Sequence, residues 1–260
     1  VADQHHDEYD DDFVAGLEWI WGDGFMSPGG AEEVARIVGG NDLTAKTVLD
    51  IGCGVGGVDV LLVKQHRAAH VTGIDVETAL VETSRRNVTR AGLDDRITIK
   101  QVAPGPLNFD DNTFDVVFSK DSMIHIPDKA QIYGEIFRVL KPGGEIAFSD
   151  WFGGAAPETP EFLEWLDVVN LSLRMGTIED AAQLLEAAGF EDVDFEDRNQ
   201  WYAQYMVEEL KRCSGENFDA LAKAQGHTVA EHRLQSSTLK KVVVDQGQLR
   251  PGHVRATKPR

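Results

Sequence analysis

The feature that most constrains this chain is an apolar run that stops at a cluster of glycines. Val48-Leu49-Asp50-Ile51 is followed at once by Gly52-Cys53-Gly54-Val55-Gly56-Gly57. A run of this kind, from Thr47 to Ile51, reads as a buried strand. Glycines directly after it give a turn tight enough to open a helix, here over 58–66. A second strand, His70–Asp75, ends in an acid. This order makes the crevice in which a parallel α/β sheet holds a nucleotide-like ligand, with the carboxylate on ribose hydroxyls. The glycines alone do not choose that ligand. A dinucleotide enzyme uses them to admit a pyrophosphate, whereas S-adenosylmethionine (SAM) brings an ammonium that needs a partner. Asp50, inside the strand end, would repel pyrophosphate but hold the ammonium of a methionine moiety, directly or through water. Its structural alternative is to cap the loop amides.

The alternation continues. Thr78 caps a helix running to Ala91 ahead of Gly92, and strands follow at 96–102 and 113–119. A helix over 128–140, a turn at Lys141–Gly144 and a strand over 145–150 complete the pattern. Nearly all-apolar strands alternating with helices predict a parallel sheet covered on both faces. Beyond Asp150 helices dominate, over 158–173, 177–188 and 200–244, with one strand near 190–195. The run 253–257 returns as an edge or hairpin strand, and two short helices, 14–21 and 28–38, flank Ser27–Gly30 ahead of the sheet. The chain thus divides into an N-terminal helical lid (1–40), a Rossmann-like core (41–151), a helical cover carrying one core strand (152–250) and a C-terminal strand (251–260).

The stretch 47–150, with Asp50 to Gly57, Gly73-Ile74-Asp75, Phe114 to Ser119 and Leu140-Lys141-Pro142-Gly143-Gly144 in that order, resembles the class I SAM-dependent methyltransferases. The resemblance implies a seven-stranded, mostly parallel α/β sheet with one antiparallel strand and helices on both faces, and SAM as cofactor. It places Asp50, Gly52 and Gly54 on the methionine and ribose, Asp75 on the ribose hydroxyls and Val76 against adenine. Many members bond the adenine amino group with an Asp after the next strand. Here Ala103 and Pro104 occupy that place, so backbone groups or Gln101 must substitute.

The flanks narrow the resemblance to the phosphoethanolamine and the sarcosine/dimethylglycine N-methyltransferases. Segments 9–30 and 119–128 carry it, and by that match Met26, Ser27, Ser119 and Lys120 contact the cofactor. The resemblance also pairs Tyr9 with His125 over the acceptor amine, with Asp121 just before His125. That chemistry is coherent. An amine must lose its proton before it attacks a methyl group, and imidazole is the natural acceptor near neutral pH. A phosphate-binding set is less evident. Trp151 stands where phosphobase enzymes have Tyr, Arg174 is out of register, and Lys240 is the match to their phosphate lysine, whereas phosphate calls for several convergent donors. Trp151 and Trp165 offer aromatic faces to a methylated ammonium, and Arg174 offers a partner for a carboxylate. The acceptor implied is a small amine, sarcosine- or dimethylglycine-like, giving betaine-type osmolytes. Phosphobase N-methylation, S- or O-methylation of a metabolite, and a SAM-sensing module without catalysis are the alternatives.

Composition excludes other classes. The 25 Lys+Arg against 44 Asp+Glu give a net charge of −19, which opposes nucleic-acid and anionic-membrane partners and suits solubility in high salt. Cys53 and Cys213 are far apart and form no metal-spaced cluster, so no disulfide framework or metal site is expected. No apolar run nears the ~20 residues of a membrane span, and the first residues lack a signal-peptide pattern, so a cytoplasmic protein is expected. Oligomeric state is not written in the sequence.

Overall fold

The five apolar runs become β1 (Thr47–Ile51), β2 (His70–Asp75), β3 (Ile97–Gln101), β4 (Phe114–Lys120) and β5 (Leu140–Gly153). The structure, a computed structural model, describes residues 11–154, 158–171 and 173–260. It adds β6 (Glu191–Asp197) and β7 (Leu249–Thr257), giving one seven-stranded sheet of order β3-β2-β1-β4-β5-β7-β6. β1 to β5 pair in parallel, and β7 runs antiparallel to both β5 and β6. β7 is therefore neither an edge strand nor half of a tight hairpin, as the sequence suggests. Its pairing with β5 runs from Glu145↔Thr257 to Gly153↔Leu249, and β6 covers its other side. The edge falls to β6, whose largely exposed acidic side chains suit it.

Helices α1 (Asp11–Trp21) and α2 (Gly30–Val38) precede the sheet, and α3 (Gly57–Lys64), α4 (Thr78–Ala91) and α5 (Lys129–Val139) connect its parallel strands. The period-two alternation of strand side chains splits β1 between two cores. Val48 packs with Val34 and Ile37 of α2, Leu62 of α3 and Val81 of α4, while Leu49 joins Ile132 and Ile136 of α5. Each such fully buried aliphatic contributes roughly 1.5–3 kcal/mol, so both faces hold the strand ends rigidly. Helix α7 (Ile178–Ala188) extends the second face through Leu185.

Helices α6 (Pro160–Val169), α8 (Asn199–Arg212), α9 (Glu216–Gln225) and α10 (His227–Asp245) form the cover. Phe162 and Trp165 of α6, Tyr202 and Met206 of α8, and Val243 and Val244 of α10 bury one another over Leu249 of β7. Local chemistry explains where the boundaries depart from the sequence pattern. Asn170, in a left-handed conformation with φ 50°, stops α6 early, and Gly215 and Gly226 break the expected long helix into three. Thr78 is not a cap: it is the first residue of α4, and its Oγ1 accepts a bond from Gln101 (2.7 Å). The turn expected at Lys141–Gly144 lies inside β5, whose register with β4 slips between Phe114↔Leu140 and Val116↔Glu145. Among the described residues no helix is long and apolar enough to cross a membrane.

Candidate active site

Strand register brings Ile51, Asp75, Gln101 and Lys120 to one end of the sheet, beside Ser149 and Asp150 of β5. The glycine turn closes there. Gly52 and Cys53 both donate their amides to Ile74 O (2.8 and 3.0 Å), and Gly52 and Gly54 adopt φ of 75° and 54°. A Cβ on Gly52 would lie 2.2 Å from Ser122 Oγ, and one on Gly54 would lie 2.8 Å from Met26 Sδ. The loop is therefore glycine for two reasons, left-handed backbone and close approach. The second also shows that Met26, between α1 and α2, packs directly on the loop.

Three acids surround this turn. Asp75 Oδ2 accepts from the Gly54 amide (2.9 Å) and Oδ1 from the Glu77 amide (3.0 Å). Burial raises the Asp75 pKa against the pull of these amides. Asp50 is 1% exposed, and neither of its oxygens has a hydrogen-bond partner among the described residues. Burial, then the charge of Asp75, pushes its pKa up to about 8. Asp59, in the first turn of α3, is likewise buried with both oxygens unpartnered, and burial followed by Asp50 raises its pKa well above the ordinary carboxylate value. Gly73 makes room for it, since a Cβ there would sit 2.5 Å from Asp59 Oδ1. Burial and the same three acids hold Cys53 as a thiol.

Beside the loop, a buried ion pair anchors the N-terminal segment. Lys120 Nζ donates to Asp121 Oδ2 (2.8 Å), Ser27 Oγ (2.5 Å) and Pro28 O (2.9 Å). Asp121, at φ 56°, also accepts from Ser149 Oγ (2.7 Å), which fixes its carboxylate. Ser119 spends its hydroxyl beneath the loop, donating to Ile51 O (2.8 Å), so it supports the turn from below. A single 3-10 turn, Met123–His125, follows, held by the Ile124 amide on Asp150 Oδ1 (3.0 Å). Burial raises the Asp150 pKa to about 7, while Lys129 opposes that shift.

His125 and Asp121 open into a cavity of about 560 Å³ roofed by the cover and walled by α1. Met26, Ser27, Trp151, Trp165 and Lys240 also line it. The structure thus gathers most of the sequence-predicted acceptor residues, but Arg174 stays outside. Its side chain is exposed, Nη1 turns back to Leu173 O (3.0 Å), and its amide binds Ile124 O (2.8 Å). Tyr9 lies outside the described residues. On the opposite side of the loop, Val76 is 43% exposed beside Asp75, while Ala103 and Pro104 are exposed on a loop tied down by the Val102 amide on Asp75 O (3.0 Å). Gln101 donates its NH2 to Thr78 Oγ1 and Val76 O, which leaves its Oε1, with the backbone carbonyls of 102–104, as the candidate acceptors for an adenine amino group.

A sequence profile of the methyltransferase domain matches residues 43–167. Phosphoethanolamine N-methyltransferase 1 of Arabidopsis thaliana is 32% identical over 212 residues, covering 80% of this chain and 42% of that protein. Residues 43–167 thus carry a methyltransferase domain, set in the class I methyltransferase fold. The chain's fold is similar to that of phosphoethanolamine N-methyltransferase 2 of Haemonchus contortus, solved with phosphomonomethylethanolamine and S-adenosylhomocysteine. The TM-score is 0.89 at 25% identity, over 97% of this chain and 59% of that one. A candidate sarcosine dimethylglycine methyltransferase of Galdieria sulphuraria gives 0.67 at 23% identity over 95% and 86% of the two chains, and bears on the fold alone. The chain spans about two-fifths of the length of the curated relatives it matches first.

The Haemonchus contortus enzyme is also solved with S-adenosyl-L-methionine, and the residues present here fit that cofactor. The orphaned, buried Asp50 carboxylate matches the cofactor's ammonium, and Asp75 and Val76 stand beside the glycine turn where the nucleoside would lie. Two features of the site escaped the sequence pattern. Asp59 carries no motif, and only its burial reveals it. Glu209 lines the cavity from α8, fully buried. A sequence signal for it existed: Tyr202, Met206, Glu209 and Cys213 follow the helical period and share one buried stripe, so an acid on that stripe needed a partner.

Proposed function

We propose that this chain transfers a methyl group from SAM to the nitrogen of a small amine held in the cavity. The observation that carries the reading is a shared wall: Met26 packs against the glycine loop at Gly54 and, with the Lys120-bound Ser27, lines the cavity beside Asp121 and His125. Bound SAM supplies an electrophilic methyl group on a sulfonium, together with the thermodynamic drive for transfer. The protein's contribution is then positioning and proton removal. Asp50 would hold the cofactor's ammonium, Asp75 the ribose hydroxyls, and Val76 the adenine face. Asp121, fixed by Lys120 and Ser149, would draw the acceptor's ammonium toward the sheet end. His125, on the turn held by Asp150, would take the proton that frees the nitrogen lone pair. The resemblance assigns Tyr9 as its partner.

For the acceptor, the cavity's chemistry supports a zwitterionic, amino-acid-like amine. Trp151 and Trp165 give faces for a methylated ammonium, and Lys240 and Arg233, already engaged, leave donors for one carboxylate rather than for a phosphate dianion. A second reading, phosphoethanolamine-type N-methylation, is supported by the relatives' names. Incubation with SAM and a panel of amino acids, their N-methyl derivatives and phosphobases, read by mass spectrometry, tests both. Methylation of thioethers or hydroxyls, with no amine turned over, would overturn the nitrogen reading.

A further inference from the structure

Glu209 and Lys240 meet at the inner wall of the cavity. Glu209 Oε1 lies 2.6 Å from Lys240 Nζ, and the carboxylate's other oxygen accepts from Trp21 Nε1 (3.0 Å) and from the Tyr202 hydroxyl (3.1 Å). The acid thus accepts hydrogen bonds from α1 and α8 through one oxygen and is ion-paired with α10 through the other. Burial and Glu209 itself keep the Tyr202 phenol protonated and donating. The ammonium of Lys240 stands over the Trp21 and Tyr202 rings, at 5.2 and 5.8 Å from their centroids. Arg233, the cavity's other strong cation, is tied to Phe13 O (3.0 Å) and Gln225 (3.2 Å) and stacks on Phe13. Among the described lining residues, two carboxylates, Asp121 and Glu209, thus face two cations, Lys240 and Arg233.

A phosphomonoester carries close to two negative charges at neutral pH and gains its affinity from several unmatched donors. At Lys240 it would meet an ammonium already neutralised, with the Glu209 carboxylate beside it. We infer that Glu209 is the specificity-determining residue of this cavity: by occupying Lys240 it rejects phosphorylated amines and selects amines whose far end bears one negative charge or none. The inference rests on the cavity being the acceptor site. A single carboxylate can share a remaining Lys240 donor, whereas a dianion beside a fixed carboxylate is disfavoured by roughly 100-fold or more.

The test is binding, which needs no methyl transfer. Phosphoethanolamine and inorganic phosphate are titrated by calorimetry into the full chain holding S-adenosylhomocysteine. The proteins are the wild type, Glu209→Gln, and Glu209→Gln combined with Lys240→Met. Gln retains an acceptor for Trp21 and Tyr202 but frees the lysine. Wild type should bind phosphoethanolamine only above about 10 mM, Glu209→Gln at least ~10-fold more tightly, and the double variant no better than wild type. Phosphoethanolamine binding to wild type as tight as to Glu209→Gln overturns the inference. If Glu209→Gln does not fold, wild type alone decides: tighter binding of phosphoethanolamine than of dimethylglycine also overturns it. Either result leaves amine methylation standing, whereas a failure of amine turnover would remove the proposed function without altering these affinities.

Discussion

Replacing Asp50 by Asn should weaken cofactor binding while making the ligand-free protein more stable at alkaline pH. Asp50 is buried, unpartnered and raised to about 8 by burial and by Asp75. An unfolded aspartate titrates near 4. A carboxyl whose folded pKa lies above its unfolded value contributes stability that is complete below about pH 4 and is lost as pH rises through about 8. A displacement of about four units corresponds to something on the order of 5 kcal/mol. Asn carries no titration, so the variant should match wild type at or below about pH 4 and exceed its urea stability by several kcal/mol near pH 8. Cofactor reverses the sign. An ammonium against Asp50 favours the carboxylate, so binding at pH 7 should expel about 0.9 proton, the fraction protonated at a pKa near 8. Between pH 5.5 and 7, where the ligand's α-amino group keeps its own proton, wild-type affinity should rise about tenfold per pH unit. Asp50→Asn should show neither slope nor proton release, and should bind at least ~10-fold more weakly at pH 7 through loss of a charged hydrogen bond. Calorimetry in two buffers of different ionisation enthalpy reads the proton count directly. Wild-type binding that is independent of both buffer and pH would refute the assignment of Asp50 to the cofactor's ammonium.

Two further outcomes follow from the same strand ends. Lys120→Met strands the Asp121 carboxylate, whose side chain is only 7% exposed, and should cost about 3–5 kcal/mol in urea unfolding. Combined with Asp121→Asn it should show a coupling of at least ~1 kcal/mol, with faster amide exchange over 22–30, and additivity within about 0.3 kcal/mol would show that the pair anchors nothing. His125→Ala should lower amine turnover by roughly 10²–10⁴-fold, with cofactor affinity unchanged and the near-neutral limb of the pH–rate profile lost. A full-rate variant with the wild-type profile would leave His125 as scaffolding and move the acceptor toward sulfur or oxygen.

The glycine turn and the acid that ends β2 were legible because they are encoded locally. A strand, a left-handed glycine turn and a second strand ending in an acid fix Gly52, Gly54, Asp75 and Val76 within one short stretch of chain, and backbone geometry permits little else. Of the acceptor half, Asp121, His125, Trp151, Trp165 and Lys240 read from the sequence as cavity residues, but their pairing did not, because long-range packing decides it. Lys240 reads from sequence as an exposed helical lysine or a phosphate ligand, and only the stacking of α8 against α10 and α1 shows Glu209 already holding it. Arg174 failed for a related reason. Its amide is bound to Ile124 O and its guanidinium turns back to Leu173 O, backbone contacts that no charge pattern announces.

The placement of β7 is a third case. Its alternation is that of any half-buried strand, and only the sheet order reveals that β6 takes the edge. The acids pose the same problem in a sharper form. With 44 Asp and Glu in the chain, a carboxylate is statistically a solvated surface group. Yet Asp50 and Asp150, at the strand ends, and Asp59, in the first turn of α3, are buried, and burial raises each pKa, so each costs stability once ionised. A fold optimised for stability alone would have neutral residues there. Their presence follows if a ligand or a neighbouring cation supplies the missing charge. For Asp150 that cation is Lys129. For Asp50 no such cation is at hand among the described residues, which points to the cofactor's ammonium as its partner.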